Sequence, residues 1–172
     1  FTYSIVSGGG SINGSSGAYT APGAPASVTV RVTDAVSNTS DATVNVVAPL
    51  TITPSTLTLA DGNSYTFAAA GGDGSYTFSV TSGLGTIDPV TGDYTAGGVG
   101  SDVVNVVDGL GYSADANVTI VELPAISPST LGIVVNDTQS FTTTGGVAPL
   151  TYSMFSGTGS VDSSTGNYTA PA

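Results

Sequence analysis

Two stretches of this chain return almost unchanged at one fixed spacing. Ile52-Thr-Pro-Ser-Thr-Leu57 comes back as Ile126-Ser-Pro-Ser-Thr-Leu131, and Thr91-Gly-Asp-Tyr-Thr-Ala96 as Thr165-Gly-Asn-Tyr-Thr-Ala170; 126 − 52 and 165 − 91 are both 74. A period of this size marks one folding unit used in tandem, so the architecture has to be argued for the unit first. The opening third belongs to the same series. Phe1-Thr-Tyr-Ser-Ile5 matches Tyr76-Thr-Phe-Ser-Val80 and Gly17-Ala-Tyr-Thr-Ala21 matches Gly92-Asp-Tyr-Thr-Ala96, both displaced by 75 (76 − 1 and 92 − 17); Asp34, Ala42 and Val44 then match Asp108, Ala116 and Val118, displaced by 74 (108 − 34). The expected organisation is the back portion of a repeat over 1–47, a complete repeat over 48–122 and the front portion of another over 123–172.

Within the complete repeat, short runs rich in Val, Ile, Thr and aromatics alternate with Gly, Asp, Asn and Ser clusters every eight to twelve residues or so, the pattern of an all-β sandwich or barrel. Tyr65, Phe67 and Ala69, then Tyr76, Phe78 and Val80, repeat with period two and place one face of each run toward a core. Gly71-Gly-Asp-Gly74 between them reads as a hairpin turn. Ile87 and Tyr94 are expected to turn inward around the Asp88-Pro89 and Thr91-Gly92 turns. Two long strands, Asp102–Val107 and Ser113–Val121, close the unit through Asp108-Gly-Leu-Gly111. This is about seven strands per unit, the count of an immunoglobulin-like sandwich. Short junctions containing Pro49 and Pro124 predict units held end to end.

The motifs Pro-Ser-Thr-Leu, Tyr-Thr-Phe-Ser-Val, Ser-Gly-x-Gly-x-Ile-Asp and Thr-Gly-x-Tyr-Thr-Ala, followed by a Val-Val pair before Asp-Gly and a final Ala/Val strand, resemble the bacterial immunoglobulin-like tandem repeats of large extracellular surface or secreted proteins. The resemblance runs through all three portions. It implies a β-sandwich module in a cell-surface or secreted protein: a stalk, fibre or filament component, an adhesin module contacting glycan or protein, or an accessory domain of a secreted hydrolase. It carries no shared catalytic residues. Ala96-Gly-Gly98 departs from the Ala-Pro of the other two portions, and Gln139 stands where Tyr65 is expected to point inward.

One Lys or Arg against twelve Asp and Glu gives a formal charge of −11, which repels phosphate and acidic lipid and argues against nucleic-acid partners. No apolar run is long enough for membrane insertion in this segment. Without His, Cys or Lys, histidine triads, thiolate chemistry, Schiff bases and the common zinc sites are excluded, as are disulfides, thioesters and lysine isopeptide crosslinks. No catalytic residue and no cofactor is assigned, and the chain reads as not an enzyme. Most aspartates flank Gly, Asn or Pro and read as turn caps. Calcium needs only oxygen ligands; its candidates are Asp61 with Asn63, Asp34, Asp108 and Glu122, none in an EF-hand loop. Tyr112 and Phe155 break the alternation and are the surface-contact candidates. Tyr19, Tyr94 and Tyr168 recur at one site, where a buried ring can bond its hydroxyl to nearby backbone. The expected partners are neighbouring repeats of the same chain and identical chains in a fibre. The front and back portions together more than complete one sandwich, although their overlap across the third strand and the tyrosine turn argues against clean complementation between copies.

Overall fold

A computed structural model describes residues 1–172. The chain consists of strands and turns and has no helix; none therefore is long and apolar enough to cross a membrane. Residues 1–47 form β1 (Thr2–Ser7), β2 (Ser11–Ile12), β3 (Tyr19–Thr20), β4 (Ala26–Thr33) and β5 (Thr39–Val46). The second repeat forms β6 (Thr51–Thr53), β7 (Thr56–Ala60), β8 (Ser64–Thr66), β9 (Ala68–Ala70), β10 (Tyr76–Ser82), β11 (Thr86–Ile87), β12 (Asp93–Thr95), β13 (Gly100–Asp108) and β14 (Ser113–Val121). The remainder forms β15 (Ala125–Ser127), β16 (Thr138–Ser140), β17 (Thr142–Thr144), β18 (Ser160–Val161) and β19 (Asn167–Thr169). By packing, the chain divides into two compact units: Phe1–Ile52 with Ala69–Thr77 and Val106–Ala114, and Thr53–Ala68 with Phe78–Asn105 and Asp115–Ala172. The dividing line runs through the second repeat.

The second repeat carries the fullest sandwich. One sheet has the order β10-β13-β14-β7, and the facing elements are β6-β9 and β11-β12-β8. Along β14, Ala116, Val118 and Ile120 are buried while Asn117 and Thr119 are exposed, so the period-two pattern read from the residues is the observed division between core and solvent. These side chains join Phe67, Phe78, Tyr94 and Val104 in the core. Each fully buried aliphatic or aromatic side chain contributes roughly 1.5–3 kcal/mol. β7 lies parallel to β14, in register from Thr56↔Asn117 to Ala60↔Val121. A parallel pair needs a long crossover, and the intervening chain supplies β10 and β13 of this sheet as well as β8, β9, β11 and β12 of the facing elements.

Three local expectations are corrected. The run Ser64–Ala70 is two strands rather than one: β8 pairs with β12 and β9 with β6, the chain changing sheet at buried Phe67. Tyr65 is therefore 39% exposed rather than inward. Gly71–Gly74 is not a hairpin turn, because β9 and β10 belong to different sheets. It is an arch in which Gly71, Gly72 and Gly74 take positive φ and the Gly72 N–H donates to the Ala48 carbonyl. The split at Phe67 and the short β6, which lies ahead of the alternating runs, give the second repeat nine strands, β6 to β14, where about seven were expected.

Candidate functional site

The best-repeated construction is a turn. Asn13 Oδ1 accepts the N–H groups of Ser15 and Ser16, Asp88 Oδ1 those of Val90 and Thr91, and Asp162 Oδ1 those of Ser164 and Thr165. In each copy a glycine, Gly17, Gly92 or Gly166, donates its N–H to the carbonyl of the capping residue. Hydrogen bonds that favour the ionised form lower a carboxyl pKa. The N–H groups of Thr91 and Val90 thus hold Asp88 below the usual range, and the Ser164 hydroxyl followed by the Thr165 N–H does so for Asp162.

Beside each turn sits a tyrosine. Tyr19 donates to the Gly9 carbonyl at 2.9 Å and Tyr168 to the Thr158 carbonyl at 3.2 Å, the backbone bonding expected at this position. Tyr94 does something else. Its hydroxyl donates at 2.6 Å to Asp102, a carboxylate only 2% exposed that also accepts from the N–H groups of Leu84 and Gly85. Burial, and then the bond to Asp102, push the Tyr94 pKa up. Reasoning from turn composition missed Asp102. The available signal was an Asp at a core-facing position of a Val-rich run, where the first repeat has buried Val28.

The calcium candidates do not come together. Asp61 and Asn63 lie at one turn, where the Asp61 N–H donates to Val121 and the Asn63 carbonyl accepts from Ala96. Glu122 is exposed, and its carbonyl accepts from Gly146. Asp34 accepts the N–H groups of Val36 and Asn38 on Oδ1 and the Asn38 side-chain amide on Oδ2. Asn38, through its side chain first and its backbone second, holds the Asp34 pKa low. Asp108 makes the same turn, Oδ1 accepting from Leu110 and Tyr112. Tyr112 stands where Asn38 does, however, and Asp108 Oδ2 is buried without a hydrogen-bond partner. No group of three or more acidic, His or Cys side chains is placed to hold a metal.

The two surface-contact candidates each border a hollow. Tyr112, 61% exposed, lines a cleft of about 630 Å³ in the first unit with Tyr19, Val44, Val46, Pro49 and Leu110. Phe155, fully exposed, lines a groove of about 730 Å³ in the second unit with Ile126, Phe141, Tyr152, Val161 and Tyr168. The groove is the larger feature, and its origin is visible in the second repeat. Ile52 there is 6% exposed, whereas Ile126 in the third is 51% exposed. Sheets β15-β17 and β16-β19-β18 rebuild the facing layer, but residues 130–134 and 150–156, the counterparts of β7 and β10, form no strand. The groove lining carries no charged residue. In the two strandless segments, the Tyr152 N–H donates to the Ser163 carbonyl and the Val134 carbonyl accepts from Asp137; apolar surface of this kind can take an apolar segment.

No family model matches the chain, and no curated protein matches it. Among solved structures it is similar to the C-terminal 282-residue fragment of intimin, solved in complex with the intimin-binding domain of the translocated intimin receptor, with TM-score 0.54 and 19% identity over 74% of this chain and 53% of that one. An intimin mutant of EHEC O157:H7 aligns with TM-score 0.38 and 19% identity over 45% of this chain and 51% of that one. A protocadherin gammaB7 EC3-6 structure aligns with TM-score 0.34 and 11% identity over 86% and 50%. The chain spans about half the length of these solved chains. The first likeness shows the fold: all-β, of the immunoglobulin-like class.

Proposed function

We propose that this chain is a structural module array of an extracellular surface protein, a component of a stalk, fibre or filament. Its repeats are taken as 1–47, 48–122 and 123–172, joined end to end at the proline-containing junctions. The observation that carries this reading is the same capped turn built three times, at Asn13, Asp88 and Asp162. Reusing one scaffold conserves a geometry, and fold alone assigns no chemistry. The test is immunogold labelling of intact source cells with an antibody to the chain. Label is expected outside the envelope and further out as repeats are added; label confined within the envelope overturns the reading.

A second reading, modules that contact glycan or protein, is favoured by Tyr112 and Phe155, two exposed aromatics each beside an apolar hollow, and by the receptor complex in which the intimin fragment was solved. Its test is a glycan array and binding to host-cell extracts, with Tyr112→Ala and Phe155→Ala as probes. Binding lost in either variant supports it; no binding by the unmodified chain removes it.

A further inference from the structure

We infer that Asp108 and Asp73 form a calcium site between the turn at 108–112 and the Gly71–Gly74 arch. Both segments, within Val106–Ala114 and Ala69–Thr77, belong to the first compact unit. The starting point is Asp108 Oδ2, a buried oxygen without a hydrogen-bond partner on a residue only 5% exposed. A buried carboxylate oxygen that no donor reaches is costly, and the surrounding turn directs its own donors elsewhere: the N–H groups of Leu110 and Tyr112 both go to Oδ1. No cationic side chain compensates. Arg31 is the only Lys or Arg of the chain, and it is bonded to both carboxylate oxygens of Asp41.

Asp73 faces it in a reciprocal arrangement. Asp73 Oδ1 accepts the N–H groups of Ser75, in its own arch, and of Gly109, next to Asp108. A methyl group built on Gly109 would collide with Asp73 Oδ2, and one built on Gly72 with Asp108 Oδ2. Each carboxylate therefore lies on the glycine beside the other aspartate, with its Oδ2 toward the opposite loop and no side chain between. Carboxylates in this relation repel each other unless a cation shares them. Asp108 is buried and Asp73 exposed, so an ion held by both is dehydrated on one side and keeps water on the other. The arrangement is particular to the second repeat. In the first, the Asn38 amide donates to Asp34 Oδ2, whereas Tyr112 stands at the corresponding place beside Asp108. The third has Val147 at the position of Asp73, 147 − 73 being 74. Oxygen ligands without nitrogen or sulfur suit a hard cation. A buried ligand further requires an ion that gives up water readily, which calcium does and magnesium resists.

The test titrates the unmodified chain with CaCl2 to about 10 mM, above the roughly 10⁻⁴–10⁻³ M range of extracellular calcium modules. Binding is followed by calorimetry and by melting temperature, with NaCl at matched ionic strength as the control for charge screening. Expected are one saturable site and a rise in melting temperature that NaCl does not reproduce. Asp73→Asn alters an exposed side chain, leaves the fold intact and should bind about tenfold more weakly, since ligand charge sets calcium affinity. Tyr112→Asn brings to Asp108 Oδ2 the amide that Asn38 brings to Asp34. It should fold at least as stably as the unmodified chain without calcium and gain nothing from adding it. Absence of saturable binding, a rise that NaCl matches, or binding that persists unchanged in both variants overturns the inference. Each of these failures leaves the stalk reading standing, since that role needs no ion.

Discussion

The Tyr94 hydroxyl donates a 2.6 Å hydrogen bond to the Asp102 carboxylate inside the second repeat. Neither side chain is exposed to solvent by more than 2%, and the only other donors to that carboxylate are the N–H groups of Leu84 and Gly85. Tyr94→Phe removes one of three donors to a buried charge and is expected to cost about 1.5–3 kcal/mol, read as a lower urea midpoint at unchanged slope. The same bond has an alkaline signature. A hydroxyl whose pKa is raised on folding stabilises the fold fully below its unfolded pKa, near 10, and progressively less as pH rises above it. The unmodified chain should therefore lose more stability between roughly pH 9 and 11 than Tyr94→Phe does.

At the acidic end the sign reverses. Asp88 and Asp162 are held below the usual carboxyl range by their turn donors, so their contribution is present above an unfolded pKa near 4 and is lost as pH falls through the lower folded values. Asn13 makes the same cap without a charge. Asp88→Asn/Asp162→Asn should therefore keep the turns while showing a shallower fall in melting temperature from pH 5 to pH 2. A fall as steep as in the unmodified chain would mean that these carboxyls are not the titrating groups.

Tyr112→Asn should stabilise the second repeat. It places at Asp108 the amide that Asn38 supplies to Asp34 Oδ2 at 2.9 Å, giving the orphaned Asp108 Oδ2 a donor worth about 1 kcal/mol. Chemical denaturation would register the gain, and Tyr112→Ala, which opens the same space without a donor, should not reproduce it.

Both non-glycine residues with positive φ occupy sites where the second repeat has glycine. Ser37 (φ 69°) matches Gly111 (φ 88°), and Asn136 (φ 61°) matches Gly62 (φ 77°). Serine is strained in this left-handed region, whereas asparagine tolerates it. Ser37→Gly is expected to gain roughly 0.5–1 kcal/mol after the entropy lost with glycine, and Asn136→Gly close to nothing. Melting temperatures of the two variants decide this.

The all-β class, the buried faces of β13 and β14, and the capped turns were legible in the sequence because period two and turn chemistry are local. What was not legible depends on contacts distant along the chain. The split at Phe67 follows from the pairing of β8 with β12 and β9 with β6, which the unbroken alternation of Tyr65, Phe67 and Ala69 conceals. Asp102 looked like any other aspartate until its strand placed it against Tyr94. The unpaired oxygen of Asp108 becomes visible only when its turn is compared with that of Asp34. The exposed lining of the groove was not distinguishable from a covered core, because Ile126 and Ile52 sit in nearly identical sequences.

The parallel pairing of β7 with β14 has a mechanical consequence. β7 enters near the start of the second repeat and β14 leaves at its end, so tension along the chain draws the two strands in opposite directions along their length. The five residue pairs from Thr56↔Asn117 to Ala60↔Val121 then bear the load together, in shear, instead of parting one after another like a zipper. Once β6 has parted from β9, further extension of this repeat requires those five pairs to give way at once.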